Sequence, residues 1–79
     1  MRILFFAQLR DAAGQSEMTL RVEGPLDAEG LWRRLLAERP GLARYRRCVR
    51  LARNCEYAGS DTSFRDADEV ALIPPVSGG

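Results

Sequence analysis

Few residues in this chain could do chemistry, and the missing ones narrow the choice. Histidine and lysine are both absent, and all twelve basic residues are arginine. Ser-His-Asp and Cys-His constellations within the chain are therefore excluded, as is a zinc site built on histidine. A Schiff-base lysine, a phosphate-loop lysine and an internal isopeptide acceptor are excluded as well. Carboxylates, two thiols, the backbone and the termini remain. Cys48 and Cys55 are seven residues apart and form no C-x-x-C pair, so two ordinary reduced thiols are expected. Arg50 and Arg53 lie close to them in sequence, but no histidine or lysine could activate either cysteine.

The end of the chain offers more. In Pro74-Pro75-Val76-Ser77-Gly78-Gly79 the two prolines stop any preceding strand and favour an extended exit, which predicts a flexible tail over about 74–79. Gly78 and Gly79 carry no side chains, so the tail can thread a channel too narrow for a Cβ. A carboxylate is inert as an acyl donor at neutral pH, but adenylation by ATP on another enzyme would make that of Gly79 reactive. A terminal Gly-Gly also occurs at frayed ends and in cloning scars. The rigid proline exit and the otherwise empty catalytic inventory favour a carrier.

The elements that must hold such a tail fit one small domain, since 79 residues is too short to divide. With 46% apolar and 29% charged residues and a net charge of +1, the chain reads as a folded globule, neither a disordered tail nor a membrane protein. The apolar run in MRILFFAQLR is too brief for a signal peptide or a membrane span, so a cytoplasmic protein is expected. Residues 2–7 read as a buried strand, and Gly14 as part of a turn or loop. In Glu17–Glu23, Met18, Leu20 and Val22 alternate with polar residues, predicting a second strand paired with the first as a hairpin. Asp27 stands where an N-cap would, ahead of Leu31, Trp32, Leu35 and Leu36 at helical spacing. That predicts a helix over about 28–38, with Gly30 unfavourable in its first turn and Pro40-Gly41 ending it. A helical turn over 42–48, a strand over 49–54, a short extended piece at 56–58, a turn at 66–68 and a last strand over 69–73 complete the order.

The sequence β-β-α-β-(β)-β predicts an α+β fold of the β-grasp type: a mixed sheet of four to five strands with one main helix packed on one face. The helix returns the chain to the sheet beside the first strand, and the first and last strands are expected to be neighbours. Ile3, Phe5, Leu31, Leu35, Leu51, Val70 and Leu72 are expected in the core, while Leu4, Phe6, Ala71 and Ile73 turn to the other face. One helix covers only one face. The apolar residues on the other are either a contact patch for a partner or are covered by loops or a short second helix.

From Arg33 to Arg53 there are eight arginines against the single acid Glu38. Arginine clusters hold phosphate well, but this one lacks interleaved aromatics apart from Trp32 and Tyr45, and contains no nucleic-acid motif. Charge patterning favours a solvated, salt-bridged face, with docking to an acidic partner surface as the functional version.

Two segments carry a resemblance. Ile3-Leu4-Phe5-Phe6-Ala7-Gln8-Leu9-Arg10 and Asp68-Glu69-Val70-Ala71-Leu72-Ile73-Pro74-Pro75-Val76-Ser77-Gly78-Gly79 resemble the small-subunit family of molybdopterin synthase. The Asp27 to Leu36 helix and Asn54 also fall at family positions. The arginine-rich residues 39–53 match no family motif. The resemblance implies a ubiquitin-like sulfur carrier of molybdenum cofactor biosynthesis. On that resemblance an ATP-dependent enzyme is expected to adenylate Gly79 and sulfur to replace the adenylate, giving a thiocarboxylate. The resemblance further implies that the carrier docks on the large subunit, inserts its tail and gives sulfur to cyclic pyranopterin monophosphate. Two deliveries make the dithiolene, in a synthase of two large and two small subunits.

On this resemblance Gly79 bears the reactive group and Gly78 keeps the tail slim. Pro74, Pro75 and Val76 direct and anchor it, and Leu4, Phe6 and Ile73 form the apolar docking surface. No cofactor or metal is expected on this chain, ATP being used by the activating enzyme, and neither nucleic acid nor membrane is an expected partner. Catalytic lysines would reside on the large subunit. Three alternatives share the fold: a thiamine-pathway sulfur carrier, though that family lacks the Phe-Phe opening and the Pro-Pro exit; a ubiquitin-like protein modifier; and a module that binds anions through its arginines.

Overall fold

Alternation sets the first strand. In β1 (Arg2–Phe5) the side chains of Ile3 and Phe5 are buried while Leu4 turns to the opposite face. The structure, a computed structural model, describes residues 1–74. β1 stops two residues short of the expected run because Ala7 takes a φ of 51°, a conformation that breaks strand pairing. A helix absent from the sequence reading follows, α1 (Gln8–Ala13), which buries Leu9 and Ala13. Gly14 ends it with a φ of 79°, donating its N–H to Arg10 O at 2.8 Å. That glycine is a helix C-cap.

β2 (Glu17–Thr19) pairs antiparallel with β1, Ile3 opposite Met18, forming the expected hairpin with α1 inside its connection. The ladder is shorter than the apolar alternation. Leu20 still donates to Met1 O at 2.8 Å, but Val22 N–H turns to the Asp66 carboxylate at 2.9 Å, leaving the sheet.

α2 (Ala28–Glu38) has the predicted bounds and cap, with Gly30 N–H donating to Asp27 Oδ1 at 2.7 Å. A Cβ on Gly30 would lie 3.1 Å from that oxygen. The residue that is unfavourable by helix propensity therefore makes room for the cap. Leu31, Trp32 and Leu35 are buried, and a 3₁₀ helix (Pro40–Tyr45) continues the chain and buries Leu42.

The sheet is completed by β3 (Arg50–Arg53), β4 (Glu56–Tyr57) and β5 (Glu69–Ile73), in the order β2-β1-β5-β3-β4. β1 and β5 are parallel and the other pairs antiparallel. The strand after α2 thus returns beside β5 and not beside β1, correcting the sequence reading. β5 takes the central place because Val70-Ala71-Leu72-Ile73 has no polar residue, whereas β3 begins and ends on arginine.

Ile3, Phe5, Leu31, Leu35, Leu51, Val70 and Leu72 all lie in one core, as expected. Phe64, which the sequence reading passed over, is fully buried with them. It is held by a two-bond bridge, Leu26 N–H to Phe64 O at 2.9 Å and Phe64 N–H to Leu26 O at 2.8 Å. Among the described residues no helix is long and apolar enough to cross a membrane.

Candidate functional site

The face of the sheet opposite α2 carries the site. Strand register aligns Glu17, Leu4, Ala71, Ala52 and Tyr57 in one row across all five strands. Two alanines side by side at the middle of that row, flanked by Leu4 and Tyr57, leave a trough because no side chain fills the space above the backbone. Phe6 and Ile73 close one end of it. The result is a hollow of about 320 Å³ lined by Leu4, Phe6, Ala52, Cys55, Tyr57, Glu69, Ala71 and Ile73.

Local backbone explains why its rim stays open. The turn at Ala7 lifts Phe6 out of the strand, leaving it 45% exposed. On the other side Asn54 and Cys55, with φ of 49° and 73°, form the two-residue turn joining β3 to β4. Two successive left-handed residues match the twist of paired strands, and they bring Tyr57 opposite Ala52, where it remains 59% exposed. Large apolar surface left open is the kind of surface that partners cover.

Of the residues expected at a docking surface, Leu4, Phe6 and Ile73 come together in this hollow, and Pro74, half-buried, follows Ile73 directly. α1 does not cover it, since its buried residues Leu9 and Ala13 belong to the core on the other side. Pro75, Val76, Gly78 and Gly79 lie outside the described residues. The sequence reading missed Ala52, Cys55, Tyr57 and Glu69. Period-two alternation through Arg50 and Ala52 was the available signal for β3, but its pairing with β5 was needed to align Ala52 with Ala71.

Charge is distributed unevenly over this face. Arg2 sits between Glu17 at 2.7 Å and Glu69 at 3.2 Å. Its guanidinium is held above its ordinary pKa, first by the hydrogen bond and charge of Glu17 and then by Glu69. The salt-bridged face expected of the arginines from 33 to 53 is formed in part. Among the described residues Arg33 pairs with Glu29 at 3.0 Å, while Arg34, Arg39 and Arg53 donate to the carbonyls of Arg21, Glu38 and Ser63. Arg44 and Arg50 lie over Tyr45 and Tyr57, at 5.7 and 4.3 Å. A stretch with one acid supplies too few carboxylates for its cations, which turn to carbonyls and aromatic rings instead. Cys48 and Cys55 are both free and exposed.

Proteins of known family resemble this chain in sequence and in architecture. The molybdopterin synthase sulfur carrier subunit of Arabidopsis thaliana is 34% identical over all of this chain and 82% of its own length. That of Homo sapiens is 32% identical over all of this chain and 93% of its own. Among solved structures, small archaeal modifier protein 1 from Haloferax volcanii superposes with a TM-score of 0.84 at 29% identity, covering 99% of this chain and 97% of that one. A complex of subunits 1 and 2 of molybdopterin-converting factor from Helicobacter pylori contains a chain matching with a TM-score of 0.67 at 25% identity, over 99% of this chain and 96% of that one. The sequence profile of the ThiS family spans residues 3–79, and the chain belongs to that family.

Proposed function

We propose that this protein is the sulfur carrier and small subunit of a molybdopterin synthase, with its reactive group at Gly79. An ATP-dependent enzyme converts the Gly79 carboxylate to an acyl-adenylate, releasing pyrophosphate, and a sulfur donor displaces AMP to leave a thiocarboxylate. On the large subunit this sulfur passes to cyclic pyranopterin monophosphate, and water restores the carboxylate. Gly78 keeps the tail slim beside the reacting carbon, while Pro74, Pro75 and Val76 direct it. The large subunit supplies the catalytic side chains, this chain binds no cofactor of its own, and the reaction takes place in the cytoplasm.

The observation that carries this reading is the hollow of Leu4, Phe6, Ala52, Tyr57, Ala71 and Ile73, open on the sheet face and lying against the strand that leads into the tail. A partner seated there holds the tail's point of departure fixed. The relatives' name and the two-subunit complex described above support the same partner. Incubating the protein with ATP, a cognate activating enzyme and a sulfur source, then measuring intact mass, tests the reading. Exchange of one oxygen for sulfur at the C-terminus is expected. An unchanged mass with an enzyme proven active on its own carrier overturns it.

The likeness to small archaeal modifier protein 1 favours one second reading, conjugation of Gly79 to lysines of other proteins. Conjugates sensitive to deletion of Gly79, formed without molybdopterin synthesis in the reconstituted system, would decide for it.

A further inference from the structure

The two ends of the open face differ in charge. Where β1 and β5 begin, Arg2 is already held by Glu17 and Glu69. At the other end, where β5 runs out to Pro74, Arg50 stands directly across from Ile73. Its guanidinium lies over Tyr57 at 4.3 Å from the ring centroid, and among the described residues no carboxylate pairs with it. Stacking engages the flat face of a guanidinium and leaves its edge N–H donors free. The group is thus held in place with a fork of donors suited to a carboxylate. Arg46 and Arg47, both exposed, precede it by four and three residues and add to the field without adding an acid.

We propose that the surface covering this hollow presents carboxylates around the exit end of β5, one taken by Arg50, and that Arg46 and Arg47 steer the approach. The proposal rests on the docking role of the open face given above and names the chemistry of the partner's rim: acidic where the tail enters. Complementary charge at a rim mainly raises the association rate and is weakened by salt, whereas a paired, stacked arginine also slows dissociation.

The test follows association of the full-length carrier with its large subunit by stopped-flow or surface plasmon resonance, at low and at high salt. With Arg46→Gln/Arg47→Gln, association at low salt is expected to slow by roughly fivefold to tenfold, converging on the wild type at high salt. With Arg50→Gln, dissociation is expected to accelerate by about tenfold as well. Arg50→Lys should recover the association rate but not the slow dissociation, because an ammonium lacks the planar fork. Wild-type rate constants for both glutamine variants at both salts overturn the proposal. Phe6→Asp separates it from the docking reading. Loss of binding in Phe6→Asp beside wild-type binding in the arginine variants overturns the acidic rim alone, whereas wild-type binding in Phe6→Asp overturns docking through this face. If the arginine variants instead lose only retention on single-stranded RNA, or only a concentration-dependent self-association, the acidic rim is overturned in favour of that occupant.

Discussion

Asn54 and Glu69 are joined by two hydrogen bonds: the Asn54 N–H donates to the Glu69 carbonyl at 2.8 Å, and the Glu69 N–H donates to Asn54 Oδ1 at 2.9 Å. The other end of the same amide, Nδ2, donates to Asp68 Oδ1 at 3.1 Å. One side chain therefore fixes the start of β5, the central strand of the sheet. Its φ of 49° is one that asparagine tolerates better than most residues. Asn54→Ala is expected to destabilise the fold by about 1–3 kcal/mol, from the lost bonds and the left-handed backbone together. Asn54→Gly should relieve the backbone part and retain the rest. Urea denaturation of both variants measures the difference, and equal stability of the alanine variant and the wild type would refute the role.

The turn partner of Asn54 leads to the opposite expectation. Cys55 has a φ of 73°, and a left-handed residue with a Cβ carries a penalty of about 1–2 kcal/mol. Part of that gain on going to glycine is offset by the greater freedom of glycine in the unfolded chain. Cys55→Gly is expected to raise stability by about 0.5–1 kcal/mol, read as a shift of the urea midpoint with unchanged m-value.

The sheet was legible in the sequence where one period dominated. Ile3 against Leu4, Val70 against Ala71 and the helix from Asp27 announced their faces by side-chain type alone. Long-range pairing was not legible. The order that puts β5 between β1 and β3, and so brings Ala52 beside Ala71, depends on which strand tolerates burial on both sides. Phe64 was hidden for a related reason: it lies in an irregular segment, with no periodic neighbours, and its burial comes from a bridge to Leu26 38 residues away in sequence. The signal for α1 is the spacing of Leu9, Ala12 and Ala13 ahead of Gly14, and it is weak because a glycine suits a loop as well as a helix C-cap.

Phe64 gives a stability prediction of its own. It is fully buried in the core cluster, so Phe64→Ala should cost about 3–5 kcal/mol, enough to leave a domain of this size largely unfolded. Phe64→Leu keeps most of the volume and should fold with a lowered denaturation midpoint. Native-like cooperativity at unchanged midpoint in the leucine variant would show that the bridge to Leu26 carries the segment without the ring.

Two carboxylates tie stability to pH. Asp68 is held below the usual carboxylate range, chiefly by the Arg65 N–H at 2.8 Å and further by Asn54. Asp66 is held low chiefly by the Val22 N–H at 2.9 Å. Because both folded-state pKa values lie below the unfolded ones, their stabilisation is complete above the ordinary carboxylate pKa of about 4. It is lost as pH falls through the lowered values. Their contribution should therefore be level across neutral pH and decline below about pH 4, with a shallower decline in Asp68→Asn. Thermal unfolding followed by circular dichroism across that range checks it, and an identical acid slope in the variant would exclude Asp68 as a source.

Filling the trough separates docking from folding. Ala71 is half-buried at the centre of the open face, paired with Leu4 on one side and Ala52 on the other. Ala71→Phe places a ring where nothing in the core opposes it, and a strand accepts an aromatic side chain well. Stability should be unchanged or slightly higher. The same ring occupies space that a docked partner would fill, so affinity for the large subunit, by calorimetry, should fall by at least about tenfold, the scale of one misfitted group at a packed interface. Deleting Gly79 should do the reverse, leaving binding intact while abolishing thiocarboxylate formation. An Ala71→Phe variant that binds normally would move the docking surface elsewhere. A Gly79 deletion that still acquires sulfur would show that activation does not require Gly79 itself, since the shortened chain ends in the carboxylate of Gly78.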